Sequence, residues 1–119
     1  MLSLPPAVRI FVACGATDLR KSFDALAAVV REVLRQDPLS GHLFVFLNRR
    51  RDRIKVLYWD RAGFCLFYKR LEEGSFEAPS AEQIDVGTLL QLLEGIELSS
   101  ARRRKWYSRA IGSACRDAI

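Results

Sequence analysis

Catalytic equipment is scarce in this 119-residue chain, which has one histidine, one methionine and three cysteines. His42 has no Ser, Cys or Asp arrangement beside it to complete a proton relay, so it reads as a turn histidine bonded to backbone. Cys14, Cys65 and Cys115 are odd in number, widely spaced and without a C-x-x-C pair. That pattern fits mostly buried, reduced thiols in a reducing compartment, and it lacks the paired spacing of zinc ligands. There is no G-x-x-x-x-G-K and no G-x-G-x-x-G, so phosphate loops are absent. No run approaches the ~20 apolar residues that a membrane helix needs. The opening MLSLPPAVRIF has no basic region ahead of an apolar one, so a signal peptide is not expected. A cytoplasmic protein without cofactor, metal or membrane partner follows as the expectation.

What the chain has is apolar residues and clustered positive charge. Half of it is apolar and only four residues are proline, which argues against disorder of the whole. The formal charge is +5 and the pI about 9.5. Residues 49–55 hold five of the 19 basic residues and residues 102–109 hold another five. Clusters this dense favour a polyanion partner over a merely solvated surface.

The length suits one domain, placed at residues 1–98 with a basic C-terminal tail at 99–119. Residues 8–13 (VRIFVA) read as an N-terminal strand. Residues 18–36 carry Leu19, Phe23, Leu26, Val30 and Val33/Leu34 at helical spacing, with Thr17 or Asp18 as N-cap and Asp37-Pro38 as the stop. Three apolar runs follow, at residues 43–47, 54–59 and 64–71. The basic break Asn48-Arg49-Arg50-Arg51-Asp52-Arg53 and the turn at 60–63 separate them. They read as a three-stranded antiparallel meander with a cationic tip. The runs are apolar on both faces, so both need covering. Two helices would cover one face, and the tail, a second copy or a partner the other. Residues 75–84 read as an extended arm or edge strand. Residues 86–94 form a short helix with Asp85 as N-cap, Gly95 as C-cap and Val86, Leu89, Leu90 and Leu93 as its buried stripe. The fold class is therefore α+β: N-terminal strand, long amphipathic helix, three-stranded antiparallel meander, short C-terminal helix and basic tail.

Arginine forks contact phosphate oxygens bidentately, so Arg49, Arg50, Arg51 and Arg53 at the tip are the first candidates for nucleic-acid binding. Lys55, Lys69 and Arg70 extend that surface, and Arg102, Arg103, Arg104 and Lys105 form the second patch. Tyr58, Trp59 and Tyr68 offer rings for base stacking, against the competing reading of strand aromatics as core. A metal nuclease would use Asp60 with Glu72 or Glu73, but the E-x-K element is missing from Glu72-Glu73-Gly74. A three-acid transposase core needs more strands and helices than this chain supplies.

The order of motifs closely resembles one family. The residues are Gly15-Ala16-Thr17-Asp18-Leu19-Arg20-Lys21-Ser22-Phe23-Asp24, Gly41-His42-Leu43-Phe44-Val45-Phe46, and Asn48 through Lys55. Tyr58-Trp59-Asp60, Gly63-Phe64, Lys69-Arg70-Leu71-Glu72 and Leu92-Leu93-Glu94-Gly95-Ile96 complete the set. The chain is similar over about residues 8–107 to the small accessory protein, usually called TnpB, of bacterial insertion sequence family sixty-six, which is not the RNA-guided nuclease of the same name. The resemblance implies a non-enzymatic protein assisting transposition, encoded beside an acid-triad transposase and a second, helix-turn-helix accessory protein. Family members often carry an aromatic-proline pair after the Glu-rich turn; Glu77-Ala78-Pro79 keeps only the proline, and residues 110–119 have no counterpart. The leading expectation is a factor that binds DNA at or near the element ends. The alternative is an adaptor that binds the transposase or self-associates through the sheet.

Overall fold

A strand with no polar residue on either face must be covered on both sides, and Leu43–Leu47 (β2) is such a strand, buried at all five positions. In the computed structural model, which describes residues 7–95, β2 is the middle of a five-stranded sheet. Ile10–Val12 (β1) runs parallel to it and Arg53–Asp60 (β3) antiparallel. Gly63–Arg70 (β4) pairs antiparallel with β3, and Gln83–Ile84 (β5) antiparallel with β1. The order is β4-β3-β2-β1-β5. Phe23–Glu32 (α1) connects β1 to β2, and Val86–Glu94 (α2) follows β5. The class is α+β, and the runs expected to form a meander are three strands of a larger, mixed sheet.

Each face of the sheet has its own helix. On one, Ile10, Val12, Leu43, Val45, Leu47, Ile54 and Val56 lie under Leu89, Leu92 and Leu93 of α2 and under Phe76 and Ala78 of the arm before β5. On the other, Ala13, Phe44, Phe46 and Leu57 lie under Leu26, Ala27 and Val30 of α1, with Leu19. This corrects the expectation that both helices share a face. The α1 crossover joins two parallel neighbours and so settles on one side. The arm carries the chain across the opposite side, where α2 docks.

The first helix is shorter than its periodicity suggests. Asp18 does not cap it: its carboxylate takes the Arg20 N–H at 3.0 Å and the Arg20 guanidinium at 2.8 Å. The Lys21 N–H then bonds the Asp18 carbonyl at 3.1 Å, closing a separate turn before Ser22, the N-cap. This is the local side chain–backbone competition that keeps aspartate out of helix interiors. At the other end the Gln36 N–H reaches the Val30 carbonyl, six residues back, at 3.1 Å, with Arg35 at φ 56°, a left-handed residue of the kind that ends many helices. Phe23 and Val33, both placed in the apolar stripe, are 42% and 55% exposed.

The second helix spans the expected residues, with Asp85 accepting the Thr88 N–H at 2.7 Å and Gly95 at φ 79°. Its buried residues are Leu89, Leu92 and Leu93, whereas Val86 and Leu90 face outward. Hydrogen bonds from Thr88, side chain first and then backbone, hold the Asp85 carboxyl below its ordinary value of 3.8. A depressed carboxylate contributes stability above its unfolded pKa and loses it as pH falls through the folded one. Asp85→Ala is therefore expected to destabilise the domain at pH 6, and the gap between the two proteins should close below about pH 4. Thermal melts across that range check this; a gap that widens in acid would refute it.

Among the thiols, Cys65 is free and half-buried. Cys14 is disulfide-bonded, against the expectation of reduced cysteines. Among the described residues no helix is long and apolar enough to cross a membrane.

Candidate nucleic-acid interface

The parallel pairing of β1 with β2 brings the chain segments that leave their C-terminal ends to the same edge of the sheet. Ligands in sheets of this kind gather outside the carboxyl ends of such strands. The segment after β1 stays tied to β2, through Ala13 N–H to the Val45 carbonyl and Thr17 N–H to the Leu47 carbonyl, both at 2.9 Å. The segment after β2 is the basic tip. An open groove of about 610 Å³ lies between them, lined by residues 16–20 on one wall, by Asn48, Arg49, Arg50 and Arg53 on the other, and by Tyr68 of β4.

Asn48 shapes the tip. Its carbonyl accepts the Arg51 N–H at 3.1 Å. Its side-chain oxygen accepts the Arg53 N–H at 3.1 Å, and its amide donates to Asp52 at 2.7 Å. Arg51 takes φ 57° to close the turn. From behind, the Leu71 N–H bonds the Asp52 carbonyl at 2.8 Å and the Phe76 N–H bonds the Arg51 carbonyl at 2.6 Å. A turn held at this many points presents its side chains in a fixed frame, which lowers the ordering cost of binding. Arg49, Arg50 and Arg53 are exposed, and Arg51 is half-buried.

Four arginines and one aspartate line the groove: Arg20, Arg49, Arg50 and Arg53 against Asp18. Hydrogen bonds to the Arg20 side chain and backbone hold the Asp18 carboxyl far below the usual carboxylate range, and the pairing raises the Arg20 guanidinium. The pairing favours the charged form of both groups, and the planar Arg20 guanidinium is held against the Asp18 carboxylate. The net field is positive, in a concavity that concentrates it.

Several candidate residues fall elsewhere. Lys55 is not a surface cation. It is 7% exposed, its ammonium donates to the Lys21 carbonyl at 2.9 Å, and it lies 4.8 Å from the centre of the Tyr68 ring. Lys69, on the opposite face, donates to the Leu93 carbonyl at 2.6 Å, where a cation suits the C-terminal end of α2. Arg70 pairs with Glu72 at 3.1 Å. Tyr58 packs against the core under α2, and Trp59 meets Phe64 edge-on at 5.1 Å. Only Tyr68 of the three aromatics lines the groove. Arg102, Arg103, Arg104 and Lys105 lie outside the described residues. Conversely, the groove includes Thr17 and Arg20, which the sequence places at the start of a helix and inside its span. Their one sequence signal was the motif run from Gly15 to Asp24, which carried no chemistry of its own.

The acidic pair does not assemble. Asp60 ends β3 beside the turn, and Glu72 follows β4 at the far end of the same hairpin. Eight paired residues put them about 25 Å apart, which rules out a shared magnesium ion. Among the described residues no three His, Cys, Asp or Glu side chains gather as metal ligands. His42 accepts the Arg9 N–H on Nδ1 at 3.0 Å, so it is a backbone-bonded turn histidine.

A family model described as IS66 Orf2 like protein matches residues 8–103. An uncharacterized protein of Sinorhizobium fredii (strain NBRC 101917 / NGR234), y4hO, is 46% identical over 101 residues, 82% of this chain and 88% of its own. A second from the same strain, y4jC, is 39% identical over 79 residues, 66% of this chain and 68% of its own. No solved structure matches.

Proposed function

The chain belongs to the IS66 Orf2-like family, the accessory proteins of an insertion sequence, and on that premise we propose that it assists transposition by binding DNA at or near the element ends. The observation that supports this is the groove itself, where Arg20, Arg49, Arg50 and Arg53 converge beside an exposed tyrosine. Guanidinium forks on a rigid turn match the spacing of phosphate oxygens. The reading is tested by titrating labelled element-end DNA at two salt concentrations. Affinity should fall steeply with salt, by a slope of about 0.9 in log K per phosphate neutralised. A salt-insensitive signal, or no binding, refutes it.

A second reading, the adaptor that self-associates or binds the transposase, keeps one supporting observation. The faces of the sheet are taken by α1 and α2, but β4 is an edge strand of eight residues, and its first six residues, GFCLFY, carry neither proline nor charge to discourage strand pairing, which Lys69 and Arg70 oppose only at its end. In this reading purified protein forms a dimer, or a stable complex with the transposase, in nuclease-treated samples measured by light scattering. A strict monomer that ignores the transposase removes it.

A further inference from the structure

We propose that the groove takes a single strand or an unpaired nucleotide, with Tyr68 as the stacking platform for a base; this rests on the DNA reading above. Tyr68 is an unusual tyrosine for this sheet. It sits on the face covered by α1, yet it is 51% exposed, because α1 and its leading turn stop short of it. One side of its ring is occupied by the buried ammonium of Lys55. That ammonium is itself anchored on the Lys21 carbonyl. The rest of the ring is open to the groove. A ring held from behind by a fixed cation, with its front in an arginine-lined concavity, is the arrangement that stacks a base while guanidinium groups take the flanking phosphates.

The shape of the site makes the choice between strand forms. A duplex is read by convex elements, a helix or ribbon that enters a groove about 12 Å wide. Here the arginines line a hollow of about 610 Å³, a volume typical of sites for single small ligands. That volume suits a nucleotide or two better than the broad face of a base-paired helix. Recognition by stacking should tolerate sequence, because every base has a π-face.

The test uses the full chain, a labelled single-stranded oligonucleotide and a blunt duplex of the same sequence. The wild type should bind the single strand more tightly. Tyr68→Ala should weaken single-strand binding about tenfold without changing its salt slope, since no charge is removed, and should leave duplex binding unchanged. Tyr68→Phe should keep wild-type affinity, because the ring is retained. Preference for the duplex, or equal single-strand binding by Tyr68→Ala, overturns the inference while DNA binding itself stands. Failure of the wild type to bind either form overturns the DNA reading and this inference with it. Circular dichroism of the two variants confirms that each is folded.

Discussion

Replacing Arg50 and Arg53 together by glutamate is expected to lower DNA affinity by about 100-fold or more at physiological salt, with little change in thermal stability. Hydrogen bonds to charged partners contribute about 1.5–3 kcal/mol each, and reversal adds repulsion to their loss. The salt slope should fall by about two, one for each phosphate contact removed. The fold is spared for a local reason. The tip is closed by Asn48 and by backbone groups of Arg51, Asp52 and Arg53, not by the Arg50 or Arg53 side chains. Arg53 also lies opposite Arg70 in the β3–β4 register, so a glutamate there replaces a like-charge neighbour with an opposite one. Fluorescence anisotropy with a parallel melt separates the two effects. Unchanged binding would remove the groove from consideration as the DNA site.

Phe44→Ala is expected to cost about 3–5 kcal/mol. Phe44 is fully buried, in the middle strand, against Leu26 and Val30 of α1, with its ring stacked on Phe11 at 5.7 Å. A cavity here cannot be filled from either side, because the neighbouring strands fix the backbone. Domains of this size have about 5–15 kcal/mol in hand. Each kcal/mol moves the melting temperature by about 4–8 °C, so a fall of at least ~10 °C should be seen by circular dichroism. Val33→Ala, at the C-cap of α1 and 55% exposed, should stay within about 0.5 kcal/mol. A mild Phe44→Ala would mean that the two-layered core is looser than its burial implies.

The basic tip, the strand runs and the second helix with both caps were legible in the sequence, because each rests on local chemistry: turn residues, alternation, capping. The extent of α1 was not. Its apolar spacing begins at Leu19, but Asp18 turns onto Arg20 and ends the competition before a helix can start there. The candidate site was half legible. Arg53 and Lys55 sit two apart on one strand and therefore on one face, and nothing in their order separates a surface cation from a buried one. The difference is coverage: the turn before α1 lies over Lys55 and stops before Arg53.

By itself, then, the sequence determined that strands apolar on both faces need two covers, and that four arginines crowd one hairpin, since these are properties of neighbours along the chain. Only the tertiary structure decided which helix covers which face, and that the loop carrying Thr17 and Arg20 stands across a groove from the tip. The reason is the parallel pairing of Ile10–Val12 with Leu43–Leu47. It joins residues 33 apart by backbone hydrogen bonds, which carry no side-chain signature, and by that one contact it sets both the position of α1 and the wall of the groove.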